Sequence, residues 1–192
     1  MAKRPQQTLP TTPQQTQSAV HFSLREKVIY ALGFIGFIIG GPAVMAYLAA
    51  WIPGTFLAEQ PSTFYLGGVA SAIGLFFALW ANYELVIKGR GGAGNFGKIK
   101  LMTETKHLVT TGPYSICRNP MHLGVFLYYM GFACALNSLI SLVIPLAVIC
   151  VAYIIAIFID EPRLERDFPD EYALYKSQVP RFLPKALVWR RK

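Results

Sequence analysis

Four apolar runs set the plan of this chain, at 28–51, 63–87, 121–138 and 139–159. The first two exceed the roughly 20 residues with which a helix crosses a bilayer. The fourth is also long enough and strongly apolar. The third is shorter, as for a helix that is tilted or partly shielded by protein. The third and fourth meet at Asn137-Ser138, which predicts a tight helical hairpin. The pattern is that of an all-α, polytopic membrane bundle of about four transmembrane helices.

The polar stretches divide the rest. Residues 1–20 are rich in Gln, Thr and Pro and are expected to be a disordered tail. No signal-peptide core precedes residue 20, so the first apolar run is expected to act as the membrane signal. Residues 21–87 hold two N-terminal spans, and residues 88–192 a second unit built on the hairpin. After the fourth run, Pro162 suits the first turn of a new helix. Leu164, Phe168, Tyr172 and Tyr175 then recur every three or four residues, predicting an apolar stripe on a charged, amphipathic helix that Pro180 and Pro184 end.

Charge sharpens this layout. Lysine and arginine number 18 against 10 acids, a net charge of +8, yet the chain is 54% hydrophobic. That apolar content makes anionic lipid headgroups a better partner for the charge than nucleic acid. Position matters more than amount. Four basic residues precede the first run, six lie between Lys88 and Arg118, and eight follow the fourth run, from Arg163 to Lys192. The connections at 52–62 and 137–138 carry none. An even number of spans with both termini cytoplasmic accounts for all of them. Any chemistry then belongs to two cytosolic segments, 88–119 and 160–192.

The candidate groups there are few. Cys117, Cys134 and Cys150 are odd in number and form no C-x-x-C pair, so they suggest neither a disulfide framework nor a zinc site. Gly89-Arg90-Gly91-Gly92-Ala93-Gly94 satisfies G-x-G-x-x-G, but a membrane span precedes it rather than a strand; a flexible connection is the better reading. His107 and His122 flank the Arg118-Asn119-Pro120 turn with no carboxylate or thiol at metal-ligand spacing. Arg118 suits either a lipid headgroup or a carboxylate or phosphate held by its planar fork. Asp160-Glu161 is open to two readings: adjacent acids that merely end an apolar helix, or an anionic patch for an amine or a sulfonium.

Together these pieces resemble the isoprenylcysteine carboxyl methyltransferase family. The resemblance is carried by Lys106-His107-Leu108-Val109-Thr110-Thr111-Gly112-Pro113-Tyr114, by Arg118-Asn119-Pro120-Met121-His122-Leu123-Gly124, and by Asp160-Glu161-Pro162 with Leu164, Phe168, Tyr172, Tyr175 and Val179-Pro180-Arg181. It covers about half of the chain, from 88 to 184, and the related phospholipid methyltransferases share the Asn-Pro-Met turn and the acidic pair. It implies a helical membrane core whose cytosolic loop and C-terminal amphipathic helix enclose S-adenosylmethionine. By position, Lys106, His107, Leu108, Val109, Tyr114, Asn119, Pro120, Met121 and His122 form the cofactor wall. Asp160 contacts the cofactor, with Glu161 beside it, since a carboxylate favours the ligand's ammonium.

The sequence also departs from that family. Asn119 replaces a histidine, His122 a tyrosine, and Asp160 a longer glutamate, while Pro169 stands where glycine is common. Ala156 occupies the position of an arginine that contacts substrate, which argues against a prenylcysteine carboxylate acceptor. The implied reaction is methyl transfer to a lipophilic small molecule or lipid that enters from the bilayer, with Arg118 or Arg181 orienting an acidic acceptor. Two other classes remain open: a membrane reductase of the sterol reductase type using a nicotinamide cofactor, and a non-catalytic membrane protein of the same fold.

Overall fold

The computed structural model describes residues 22–58, 61–92 and 102–182. The expected disordered tail, Ala93 and Gly94 of the glycine-rich segment, and Pro184 lie outside them. Helices α1 (Leu24–Ile35) and α2 (Gly41–Trp51) are joined by a π-turn at Gly36–Gly40 into one 28-residue span. Helix α3 (Pro61–Ile87) is the second span. Helix α4 (Pro120–Leu136) has 17 residues, about 25 Å of rise, and is the shorter apolar helix anticipated for the third run. The last span runs unbroken from Ile140 to Asp167, through α5 (Val143–Ile155), a second π-turn (Ala156–Asp160) and α6 (Glu161–Asp167). Helix α7 (Pro169–Gln178) follows. Three helices are thus long and apolar enough to cross a membrane, and the protein is a polytopic helical bundle.

Both π-turns have the same cause. Pro42 has no N–H to donate and its ring crowds the carbonyl four residues back. The helix widens ahead of it, and the Gly41 N–H reaches five residues back to the Gly36 carbonyl. Phe37 and Ile38 thereby lose their usual helical donors. Tyr129 and Tyr128 replace them, each donating its hydroxyl at 2.9 Å, to Phe37 O and Ile38 O respectively. Ahead of Pro162, Glu161 N–H likewise reaches the Ala156 carbonyl. Pro162 does sit in the first turn of α6, as its sequence position suggests, but no break precedes it. The widened turn absorbs the proline, so the helix carries the acidic pair onward instead of ending there.

The amphipathic stripe is bent rather than straight. Phe168 leaves helical geometry (φ −139°, ψ 59°) before Pro169, which starts α7. Leu164, Phe168, Tyr172 and Tyr175 nevertheless meet in one cluster with Val179 and Leu108.

Helices α3 and α4 pack antiparallel along a seam of small residues. Gly67, Ser71, Gly74 and Ala78 of α3 face Ala135, Gly131, Tyr128 and Gly124 of α4. The backbones approach so closely that a Cβ on Gly124 would stand 2.5 Å from the Ala78 nitrogen. Between lipid-facing helices, where apolar surface gains nothing by leaving lipid, such close packing is what holds two helices together. At the end of the bundle away from the 102–119 loop, Asn137 takes the left-handed conformation (φ 46°) and its side-chain amide bonds Leu57 N at 2.9 Å and Leu57 O at 3.0 Å. That fixes the hairpin against the α2–α3 connection.

Candidate functional site

Where the α3–α4 seam reaches the basic end of the bundle, the loop 102–119 folds back over the helix ends. Lys106 N–H donates to Gly89 O at 2.7 Å and Gly92 N–H to Thr103 O at 2.9 Å. Gly91 is needed for this approach, since a side chain there would meet the Thr105 backbone. Glu26 of α1 binds Thr103 through both its amide (2.8 Å) and its hydroxyl (2.7 Å). From the other side the C-terminal segment is stitched on. Arg118 N–H donates to Pro180 O at 2.8 Å, Asn119 N–H to Arg181 O at 3.1 Å, and the buried Tyr175 hydroxyl to Tyr114 O at 2.7 Å.

These segments enclose a cavity of about 550 Å³ against α1, α3, α4 and the end of the last span. That size lies in the range of roughly 300–1,000 Å³ typical of small-molecule sites. Its lining is mixed. Ile29 and Phe34 of α1, Phe37 of the first π-turn, Ala78 and Leu79 of α3, Val125 of α4 and Ile155 of α5 contribute apolar side chains. Tyr30, Asn82, His107, Arg118, Asn119, Asp160 and Arg163 contribute polar ones.

The structure brings together most of the residues singled out from the sequence. His107, Leu108, Val109, Tyr114, Arg118, Asn119, Pro120, Met121, His122 and Asp160 all line the cavity. Lys106, Glu161 and Arg181 do not. Lys106 is exposed and contributes its backbone to the loop.

The two acids of the pair are separated by function of place. Glu161 is 7% exposed and its carboxylate is fully engaged. Arg181 donates to it twice, Nε to Oε1 at 2.6 Å and Nη2 to Oε2 at 3.0 Å, and Arg118 Nη1 lies 3.1 Å from Oε1. The Arg181 guanidinium also lies over the Tyr153 ring, 5.4 Å from its centre, and Arg118 Nη1 reaches the Tyr172 hydroxyl at 3.0 Å. Arg181 is held above the usual arginine range, chiefly by its hydrogen bond to Glu161. Asp160, one residue earlier, makes no hydrogen bond or ion pair among the described residues, and it lines the cavity. Arg163, one turn on, also lines the cavity, and its buried Nε has no partner; the same is true of Arg118 Nε.

Several cavity residues were not anticipated. Tyr30 and Asn82 join α1 to α3 across the wall, the phenol donating to Asn82 Oδ1 at 3.1 Å. Both are polar residues inside apolar runs, a signal that marks inward-facing positions in membrane helices. Glu84, the acid within α3, carries the same signal, though it lies outside the cavity wall. It is buried, pairs with Lys88 at 2.7 Å and accepts from the Thr111 hydroxyl at 3.1 Å, anchoring the loop beside Tyr114. Cys117 is fully buried, and burial pushes its thiol up to about 11, so it is an inert core group.

Residues 62–171 match the phospholipid methyltransferase family, from the start of α3 into α7. The chain is 30% identical over 104 residues to mouse phosphatidylethanolamine N-methyltransferase, covering 54% of this chain and 49% of that one. It is 31% identical over 87 residues to the nickel-cobalt-cadmium resistance protein NccN of Alcaligenes xylosoxydans xylosoxydans, covering 45% and 40%. With the cobalt-zinc-cadmium resistance protein CzcN of Cupriavidus metallidurans it shares 31% over 83 residues, covering 43% and 38%. The chain thus spans about half or less of the length of these curated relatives.

Proposed function

This chain belongs to the phospholipid methyltransferase family, and on that premise we propose that it is a membrane methyltransferase that uses S-adenosylmethionine and acts on a lipophilic acceptor. The observation that carries the proposal is Asp160, which makes no hydrogen bond or ion pair among the described residues, in the wall of a cavity lined by both polar and apolar side chains.

The residues present fit the cofactor. An amino-acid end bearing an ammonium and a carboxylate finds an unpaired acid in Asp160 and an unfilled guanidinium donor in Arg163. His107 to Val109, Tyr114 and Asn119 to His122 supply the surrounding wall. S-Adenosylmethionine, when bound, supplies an electrophilic methyl group on a sulfonium. The chain's own part is to bind, align and exclude water. Desolvation strengthens the attraction of Asp160 for a cation, and fixed alignment of the reacting atoms lowers the entropic cost of the step. Arg118 is the group we assign to orienting an acidic part of the acceptor. Glu161 and Arg181 act as positioning residues in this reading, because their bidentate pair fixes the turn from which Asp160 projects. Lys106 serves through its backbone.

In the same reading both termini and residues 88–119 lie in the cytosol, supported by the confinement of all 18 lysines and arginines to that side. A prenylcysteine carboxylate is a poor acceptor, because Ala156 is fully buried and offers no cation. The test is transfer of labelled methyl from S-adenosylmethionine by purified protein to a total lipid extract. Label in an organic-soluble product, absent without protein, supports the proposal; cofactor binding with no transfer to any lipid fraction argues for a non-catalytic role.

A further inference from the structure

We propose that the acceptor's hydrocarbon chain lies in a side opening of the cavity between α1 and α3, and that Gly33 is the specificity-determining residue that sets the width of that opening. The proposal rests on the methyltransferase reading above and says where the bundle holds the acceptor.

The opening comes from a difference in packing. Helices α3 and α4 meet backbone to backbone, so that a Cβ on Gly74 would run into the backbone of Tyr128. Helix α1 stands off. None of its residues is buried, and a Cβ on Gly33 would meet no heavy atom of the described residues within 4 Å. Gly33 nevertheless lines the cavity, so the free space beside it belongs to the cavity.

Phe34 and Leu79 show where that space leads. Both line the cavity, yet they are 47% and 41% exposed. A residue that belongs to the inner wall and the outer surface at once marks a mouth. Both residues sit in membrane-spanning helices, so this mouth faces hydrocarbon rather than water.

Both rims of the mouth are held. Toward the 102–119 loop, the Tyr30 hydroxyl crosses from α1 to Asn82 Oδ1 at 3.1 Å. Phe34 lies one turn beyond Tyr30, and Leu79 nearly one turn before Asn82, so the two frame the next turn of the same gap. Toward the middle of the bundle, Phe37 packs on Tyr128 and Tyr129, with ring centres 5.1 and 5.4 Å apart. Between Tyr30 and Phe37 the helix rises about 10 Å.

The frame selects the occupant. Gly33, Phe34, Phe37 and Leu79 offer no polar side chain, so a hydrocarbon chain fills the gap without stranding a polar group. The same cavity holds Arg118, Asp160 and Arg163. A lipid with a polar reactive end therefore finds both surroundings in one site, its end among the charged groups and its chain between α1 and α3. With no side chain at position 33 the gap stays clear, and any larger residue there projects into it.

The experiment compares wild type, Gly33→Trp and Gly68→Trp in nanodiscs made from a total lipid extract. Gly33→Leu replaces the tryptophan variant if that one does not fold. Gly68 has open space around it but does not line the cavity, which makes it the control. Palmitic acid carrying a mid-chain diazirine is photolysed in the discs, and its attachment is mapped by peptide mass spectrometry. In wild type it should reach Val125 and the 4%-exposed Ala78 inside the cavity, as well as Phe64 on the outer surface. In Gly33→Trp, labelling at Val125 and Ala78 should fall at least about fivefold while that at Phe64 persists. Transfer of labelled methyl to the lipids should fall at least about tenfold, with calorimetric affinity for S-adenosylmethionine changed less than about twofold. Gly68→Trp should match wild type throughout.

Wild type labelled at Phe64 but not at Val125 or Ala78 overturns the proposal and leaves the methyltransferase reading intact. Unchanged labelling in a folded Gly33→Trp protein does the same. Blocked labelling with undiminished transfer also overturns it, since the chain in the opening is then a bystander lipid. Wild type that binds no S-adenosylmethionine overturns the methyltransferase reading instead, and the labelling by itself then shows whether the opening takes a chain.

Discussion

Arg181 holds Glu161 in a two-pronged grip, Nε to Oε1 at 2.6 Å and Nη2 to Oε2 at 3.0 Å, while Asp160 just before it lines the cavity outside that pair. Two adjacent acids thus have different tasks, and substitution should separate them. Glu161→Gln leaves Arg118 and Arg181 without a counter-charge in a largely buried setting. It should lower stability by about 3 kcal/mol, read as a clear fall in Tm of the detergent-solubilised protein. Arg181→Ala should cost less, because Arg118 still faces Glu161. Equal melting temperatures for Glu161→Gln and wild type would show that the grip contributes no stability.

The proline-widened turn of the first span makes a second prediction. Tyr128→Phe and Tyr129→Phe each remove the hydroxyl that satisfies a carbonyl freed by the turn. Each should cost about 0.5–1.5 kcal/mol. In a Pro42→Ala background the helix can close its own ladder, so the cost of Tyr128→Phe should shrink. Reversible unfolding in mixed micelles would read the cycle; identical costs in both backgrounds would detach the tyrosine from the proline.

The α3–α4 seam makes a third. Gly74→Leu or Gly131→Val drives a side chain into the facing backbone and should abolish a monodisperse folded protein. Gly68→Ala, next to the same seam but with open space around it, should be harmless. Size-exclusion profiles after solubilisation distinguish them, and a folded Gly74→Leu protein would contradict the close approach.

Orientation supplies a fourth. In a background lacking Cys117, Cys134 and Cys150, a cysteine at exposed Ser115 should resist a membrane-impermeant thiol reagent in intact cells. One at exposed Ser62 should react. The reverse labelling pattern would invert the topology.

Much of this was legible in the sequence, for identifiable reasons. Hydropathy alone located the apolar runs to within a few residues, because in a bilayer burial and composition coincide along a whole helix. The shortness of α4 was visible in the same way. What hydropathy could not convey was the fate of the prolines. Pro42 and Pro162 look like breaks, yet each is absorbed by a π-turn, a choice that depends on partners distant in sequence such as Tyr128 and Tyr129. Pro169 bends the charged helix at Phe168, which a count of stripe residues passes over. The small-residue spacing from Gly67 to Ala78 did carry its own signal in the sequence. At the site, the motif residues from His107 to Val109 and Asn119 to His122 converge on one cavity. Adjacency in sequence, however, gave no way to tell which of Asp160 and Glu161 is paired, since the partners of Glu161, Arg118 and Arg181, are distant in sequence.

The central claim is that the cavity takes S-adenosylmethionine through Asp160. The measurement that tests it most directly is isothermal calorimetry of S-adenosylmethionine binding to wild type and Asp160→Asn in the same detergent. Losing a charged partner for an ammonium should weaken binding by about 1.5–3 kcal/mol, roughly 10- to 150-fold, with the melting temperature unchanged. Wild type that binds no S-adenosylmethionine, or an Asp160→Asn protein that binds it as tightly as wild type, would contradict the account.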